Sequence, residues 1–459
     1  MAMRIQNGTL VTGETSYQGD ILVEDGKIAA IGECLSLPDG EVYDASGCKI
    51  FAGFIDAHTH LDMETDITVT ADNFASGTRA ALAGGTTTIV DFATQTRGKT
   101  LGEGLAQWHQ KALNNAYCDY GFHMAVTGWN DAVATEIGEM AAQGVTSFKV
   151  YMAYESLRLS DGDIYALMRR VKEIGGIVSC HCENGDLVNA LIARHRKEGK
   201  LAPMWHPRTR PGYLEGEAVE RFCAIARAAE IPAYIVHLST REGLKAAQRA
   251  RQAGQTVVLE SCPQYLAMDD SRYLLPGFES AKYVCSPPLR SKEDQAALWE
   301  ALAAGEIEVL ATDHCSFHFK GQKEMGREDF SKIPNGMPGI EHRPAIIWEL
   351  GVVPGRITEN QMASVLSEQP AKIFGLYPRK GALQVGADAD LVIWDPHRSR
   401  TITAAEMWQR VDYTPYEGMS LSGNPKAVLL RGNVVCRENH ISPQPMGRYL
   451  KRGPFSSPL

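Results

Sequence analysis

Eight apolar runs rich in β-branched residues recur along the middle of the chain, each separated from the next by a segment of helical composition. They are Lys49 to His60, Thr86 to Thr94, Tyr120 to Val126, Thr146 to Ala153, Gly176 to Cys182, Pro232 to Ser239, Thr256 to Cys262 and Glu308 to Cys315. Continuous apolar strands alternating with helices predict a parallel sheet covered on both faces. Eight such units predict a (β/α)8 barrel. The intervening helices carry their own stop and start signals. Residues 72–85 open on Asp-Asn and close on Gly84-Gly85. Residues 291–306 open with a Ser-x-x-Asp capping pattern, and residues 240–255 open similarly on Thr240. Gly84-Gly85 is a helix stop and not a phosphate loop, because no Gly-x-x-x-x-Gly-Lys pattern follows.

The pattern changes at both ends. Residues 1–50 and about 380–440 hold short strands broken by Asn-Gly and Asp-Gly turns, which predict antiparallel structure. The expected architecture is a barrel over 51–375 beside one small β-sandwich domain assembled from 1–50 and 376–440. Residues 441–459, ending in "KRGPFSSPL", are expected to form an exposed arm.

Composition narrows the partners. The net charge is −9, which disfavours nucleic acid and anionic membranes. The first residues, "MAMRIQNGTLVTG", lack the apolar core of a signal peptide, and no run approaches a membrane span. The ten cysteines form no Cys-x-x-Cys pair. Reduced thiols and a cytoplasmic location are the expectation.

Chemistry enters where polar residues interrupt the apolar runs near their C-terminal ends, the active face of such barrels. His58 and His60 are i, i+2 neighbours and share one strand face. Lys149, His181, His237 and Asp313 come from four further runs. One histidine on an apolar strand is more often a hydrogen-bonded core residue than a ligand. Four histidines and an aspartate at the strand ends of one barrel point to metal, with zinc and its first-row neighbours favoured by the ligand types. Six positions exceed a single catalytic zinc site and suit a pair of divalent ions. Lys149 is then anomalous, because an ammonium among cations would be repelled.

Beyond these residues, the motifs "GFIDAHTHLD", "GTRAALAGGTTTIVDF", "SFKVYMAY", "HCENGD", "CPQYL", "YVCSPPLR", "TDHCSF", "KIPNGMPGIEHR" and "EGMSLSGNPKAVLLRGN" resemble the dihydropyrimidinase/D-hydantoinase family of cyclic amidohydrolases over nearly the full chain. The resemblance implies that Lys149 carries a CO2-derived carbamate, becoming a carboxylate that bridges two metals. It implies His58, His60 and Asp313 on one metal and His181 and His237 on the other. Tyr154 matches the tyrosine that stabilises the oxyanion. Ser286 and Asn335 match positions whose backbones hold the cyclic amide or imide. Asp313 also matches the proton carrier. The implied reaction is hydrolytic opening of dihydropyrimidines or 5-substituted hydantoins to N-carbamoyl amino acids, and the implied assembly is a homotetramer. Alternatives are another cyclic ureide hydrolase of allantoinase type, or a scaffold relative without catalysis. No Gly-x-Ser-x-Gly elbow supports a serine hydrolase.

Other positions carry weaker signals. His314, His318 and Asp91 are read first as loop or structural residues, and Cys182, where alanine is more usual in the family, as a packing change. The segment "LDMETDITVT" over 61–70 departs from the aromatic-bearing loop of relatives with bulky substrates. Met63, Glu64, Thr65 and Asp66 there suggest a small or more polar substituent.

Overall fold

The computed structural model describes residues 2–36 and 40–457; residues 1, 37–39 and 458–459 of the two expected end segments lie outside it. Eight parallel strands run in chain order through one sheet: Phe54–Thr59, Thr86–Thr94, Asp119–Ala125, Ser147–Tyr151, Ile177–His181, Ala233–Ile235, Val257–Ser261 and Val309–Leu310. Helices between them include Phe74–Ala83, Leu101–Ala112, Asp131–Ala142, Asp161–Glu173, Arg241–Gln252 and Lys292–Ala303. The cap signals act as written: Asn73 with Ser76, and Ser291 with Asp294, form reciprocal capping boxes. Ala57, Ile177, Tyr234, Val258, Val309 and Phe374 pack in the barrel interior.

The first and eighth strands meet through side chains more than through a ladder. Asp56 accepts from the Thr312 amide at 3.0 Å and its hydroxyl at 2.6 Å. The buried Arg343 guanidinium donates to Ile55 O and Leu310 O, both at 2.7 Å. The His60 amide reaches His314 O at 2.9 Å. The fold is thus a closed (β/α)8 barrel whose seam is fastened by one carboxylate and one guanidinium.

The run Lys49 to His60, expected as one strand, is two. Lys49–Ala52 lies between Met3–Val11 and Leu391–Asp395 in a nine-stranded sheet that draws strands from both chain ends. Its apolar face joins Leu10, Ile21 and Ile50 to Leu391, Ile393 and Leu429. Phe54–Thr59 then enters the barrel. Gly53 marks the break: a Cβ there would sit 2.1 Å from Thr87 Oγ1. Hydrophobic patterning could not show this, because the break lies inside one apolar stretch, with Ile50, Phe51 and Ala52 on one side of Gly53 and Phe54 and Ile55 on the other.

The β domain is fastened to the barrel by a buried charge cluster. Lys380 Nζ contacts Asp119 at 2.6 Å, Asp390 at 2.7 Å and Asp388 at 3.0 Å, and Arg431 also pairs with Asp119. Burial opposes the Lys380 charge, but the three carboxylates hold its pKa above the ordinary lysine value. Removing one member of such a cluster leaves uncompensated charge and costs about 3–5 kcal/mol. Lys380→Met is therefore expected to lower the thermal unfolding midpoint strongly, and an unchanged midpoint in scanning calorimetry would remove the cluster from the account.

The expected exposed arm is instead packed. Leu450, Arg452 and Phe455 donate backbone hydrogen bonds to Tyr120, Gly144 and Gly175, near the starts of the third, fourth and fifth barrel strands. Arg452 is only 4% exposed and donates to Ser147 Oγ at 2.8 Å. Its Pro/Ser composition suggested solvent, but unpaired backbone groups at the strand starts provide partners.

Candidate active site

The candidate side chains lie in the barrel strands or just beyond them, toward the C-terminal face. His58 lies in the first strand and His60 just beyond it, Lys149 is central in the fourth, and His181 ends the fifth. His237 and Asp313 follow the short sixth and eighth strands, with φ of 38° and 52°. Tyr154, beyond the fourth strand, has φ of 68°. Positive φ in a non-glycine residue is unusual and concentrates at functional sites. Here it ends strand pairing and turns these side chains from the barrel wall toward a common centre.

The donors converge. Asp313 Oδ1 lies 3.1 Å from His58 Nε2 and 3.2 Å from His60 Nε2. His181 Nδ1 and His237 Nε2 face each other at 3.0 Å. Lys149 Nζ sits 3.5 Å from His58 Nε2, over the rings of Phe92 and Tyr151. Two carboxylates set the tautomers from behind. Glu260 takes His58 Nδ1–H at 2.6 Å, and Glu183 takes His181 Nε2–H at 2.8 Å. The nitrogens facing the centre are thereby left as lone-pair donors, the arrangement a metal needs. His60 Nδ1 and His237 Nδ1 make no hydrogen bond among the described residues. The donor set fits a His-His-Asp metal site and, beside it, a pair of histidines, with Lys149 close to both.

Electrostatics agree with a cation site. Burial draws Lys149 below the ordinary lysine range, against Asp313 and Glu260, and no carboxylate pairs with it among the described residues. Burial would raise the Asp313 carboxyl, but His58 and His60 hold it well below the usual carboxylate range. Burial raises the Tyr154 phenol, while Arg210, Ser286 and Asn335 beside it pull the other way. Tyr154, Ser286 and Asn335, which lie far apart in sequence, therefore share one corner of the site.

This arrangement can be set against known proteins. The amidohydrolase family profile matches residues 50–435. A D-hydantoinase of Geobacillus stearothermophilus is 46% identical over 460 residues, covering 100% of this chain and 98% of that protein. A D-hydantoinase of Streptomyces coelicolor is 44% identical over 95% of both. The chain belongs to the dihydropyrimidinase/D-hydantoinase family of amidohydrolases. The crystal structure of a dihydropyrimidinase from Brevibacillus agri superposes on this amidohydrolase with a TM-score of 0.99 at 44% identity, each covered in full. The chain is accordingly a hydrolase of C–N bonds in cyclic amides.

Several residues of this amidohydrolase site escaped the sequence reading. Glu260 is the clearest. It stands in the apolar run "VVLES" just as Lys149 stands in its own, so the same anomaly marked it. It holds His58, the His237 amide at 3.1 Å and the Tyr234 hydroxyl at 2.8 Å. Glu183 and Arg210 form a buried ion pair behind His181, and Arg210 lies 5.5 Å from the Tyr154 ring. Burial opposes its charge, but Arg210 and His181 hold Glu183 at about 2. The weaker candidates brace loops. Asp91 accepts from Thr59 Oγ1, the Leu61 amide and Trp108 Nε1, and burial pushes it to about 6. His314 joins Asp72 to the Gly339 and Ile340 amides. His318 lies 3.9 Å from Asp412, away from the donor cluster. Outer partners of metal-bound histidines are worth roughly 10–100-fold in affinity or activity. Glu260→Gln, which removes the charge and keeps the shape, is expected to raise the metal dissociation constant by about that factor, read by competition with a chelator of known affinity.

Proposed function

We propose that this chain is a binuclear metal hydrolase that opens dihydropyrimidines and 5-substituted hydantoins to N-carbamoyl amino acids. The observation that carries the reading is the convergence of His58, His60, His181, His237, Asp313 and Lys149, with Glu260 and Glu183 turning two imidazole lone pairs inward. His58, His60 and Asp313 would hold one divalent ion and His181 and His237 the other. Zinc suits these ligand types. Lys149, buried and biased toward the neutral amine that reacts with CO2, would be shared by both as its carbamate. Such a pair polarises a carbonyl and makes hydroxide available near neutral pH.

The chain's own residues then have distinct tasks. The Ser286 and Asn335 peptides hold the ring amide. The Tyr154 hydroxyl donates to the ring carbonyl oxygen as negative charge develops on it, the kind of fixed donor that dominates many such reactions. Asp313, ionised at neutral pH, accepts a proton from the attacking water and returns it to the leaving ring nitrogen. The C–N bond breaks, leaving a carboxylate on one side and an N–H on the other.

The 61–70 loop constrains the substituent. Glu64 pairs with Lys111 at 2.7 Å and Asp66 accepts from Ser156 at 3.0 Å. Both carboxylates are thus committed to the protein, which favours small substituents over polar ones. The homotetramer is carried from the resemblance, zinc from the ligand types and a cytoplasmic location from the scattered, unpaired cysteines. No helix among the described residues is long and apolar enough to cross a membrane. The substrate assignment is checked by incubating purified, metal-loaded protein with dihydrouracil, allantoin and dihydroorotate and following loss of the ring. Dihydrouracil is expected to open fastest. Turnover confined to allantoin would move the chain to the allantoinase reading.

A further inference from the structure

A third lysine, in addition to Lys149 and Lys380, is buried where no sequence pattern suggested it. Lys323 lies in the loop "KGQKEMG" and has 0% exposure. Its Nζ donates to three backbone carbonyls, Val284, Pro334 and Gly336, each at 2.7 Å. That uses all three ammonium hydrogens. No carboxylate pairs with it among the described residues. A buried ammonium neutralised only by carbonyl dipoles is costly to maintain, so its placement needs a reason.

The three carbonyls supply one. Pro334 and Gly336 flank Asn335, and Val284 lies two residues before Ser286. A trans peptide is planar and its C=O and N–H point in opposite directions. Drawing Pro334 O onto Lys323 therefore turns the Asn335 N–H away from Lys323. That N–H makes no hydrogen bond among the described residues. The two segments are also tied to each other, since the Gly336 amide donates to Val284 O at 3.0 Å. Ser286 Oγ is buried and lacks a well-aligned partner. Gly336, at φ 153°, has no room for a Cβ, which would come within 2.3 Å of Cys315 O. The pair of segments is thus pinned from one side and, on the other, presents the Asn335 N–H and the Ser286 hydroxyl toward the corner occupied by Tyr154.

We propose that Lys323 is a positioning residue for substrate recognition: its ammonium pins the Ser286 and Asn335 segments in one register so that their peptides face the ring amide. This rests on the cyclic-amide reading above. The ammonium also titrates within reach. Burial draws its pKa down to about 7; the titratable groups that face it are the Cys285 and Cys315 thiols, which burial raises and keeps neutral there, and the His206 imidazole, which burial lowers. Phe317 offers only a ring at 5.9 Å, and the 334–336 segment offers only carbonyls. Because the charged form does the pinning, recognition weakens as pH rises through the Lys323 pKa.

The test is steady-state kinetics of the metal-loaded enzyme on dihydrouracil from pH 6 to 9. Lys323→Met is expected to raise KM roughly tenfold or more at pH 6.5, with kcat changed much less and metal content unchanged; one lost buried contact to a charged donor corresponds to about that factor. Lys323→Arg, which keeps the charge, is expected to recover part of the loss. Wild-type KM is expected to climb across the pH range, and that climb to vanish in Lys323→Met. An unchanged KM in a folded Lys323→Met, or a defect confined to kcat, overturns the assignment. If the variants do not fold, a flat wild-type KM over the same range overturns it alone. Absence of turnover by the wild type on every cyclic amide would instead sink the underlying functional reading.

Discussion

Lys149→Ala is expected to lose ring-opening activity by far more than the roughly 10–100-fold typical of removing an outer partner of a metal ligand. The reason is charge. With Lys149 as a carbamate, a divalent pair has an anion between its members. Without it, two dications a few ångströms apart repel across a buried, low-dielectric site. Metal content by elemental analysis should fall from two per chain, with the loss greatest at the His181–His237 pair, which has no carboxylate ligand of its own. Because alanine leaves a cavity where the side chain ran, a small carboxylate such as acetate at high concentration should restore part of the rate. A Lys149→Ala enzyme with normal metal content and rate would remove the carbamate from the mechanism.

Asp313→Asn carries the second large effect. Asp313 contacts both His58 Nε2 and His60 Nε2, and in the proposed reaction it is the carboxylate that moves the proton. General acid–base catalysis contributes typically about 10²–10⁴-fold. The substitution should lower kcat by at least that much while the protein remains folded. The pH profile separates this role from simple metal loss. His58 and His60 hold the Asp313 carboxyl well below the carboxylate range, so it is ionised throughout neutral pH. A rise of wild-type kcat through neutral pH therefore follows deprotonation of the nucleophilic water and not of Asp313. In metal-replete Asp313→Asn the rate should be low at every pH. Recovery at high pH would show that proton transfer through residue 313 is dispensable.

Much of this site was legible because the chain places charges where burial makes them expensive. His58, His60, Lys149, His181, His237 and Asp313 all interrupt apolar runs, and a run's end is where a barrel strand meets the active face. Tyr154, Ser286 and Asn335 needed the motif resemblance, since each lies in a loop whose composition is unremarkable on its own. Glu260 had the same signature as Lys149 and went unread. Lys323 had none. Its loop is polar, and its burial is created by the 284–286 and 334–336 segments that fold over it. The division at Gly53 and the docking of the Leu450–Phe455 segment were hidden for different reasons: one lies inside a continuous apolar stretch, and the other is held by backbone hydrogen bonds that composition does not record.

The most direct measurement is dihydrouracil opening by purified protein before and after chelation, with metal per chain determined on the same samples. The account predicts that far-ultraviolet absorbance of the ring is lost with metal-loaded protein, that chelation abolishes the reaction, and that activity returns as two equivalents of zinc per chain are restored. Ring opening that survives complete metal removal, or a protein holding two metals per chain that opens no cyclic amide, would contradict it.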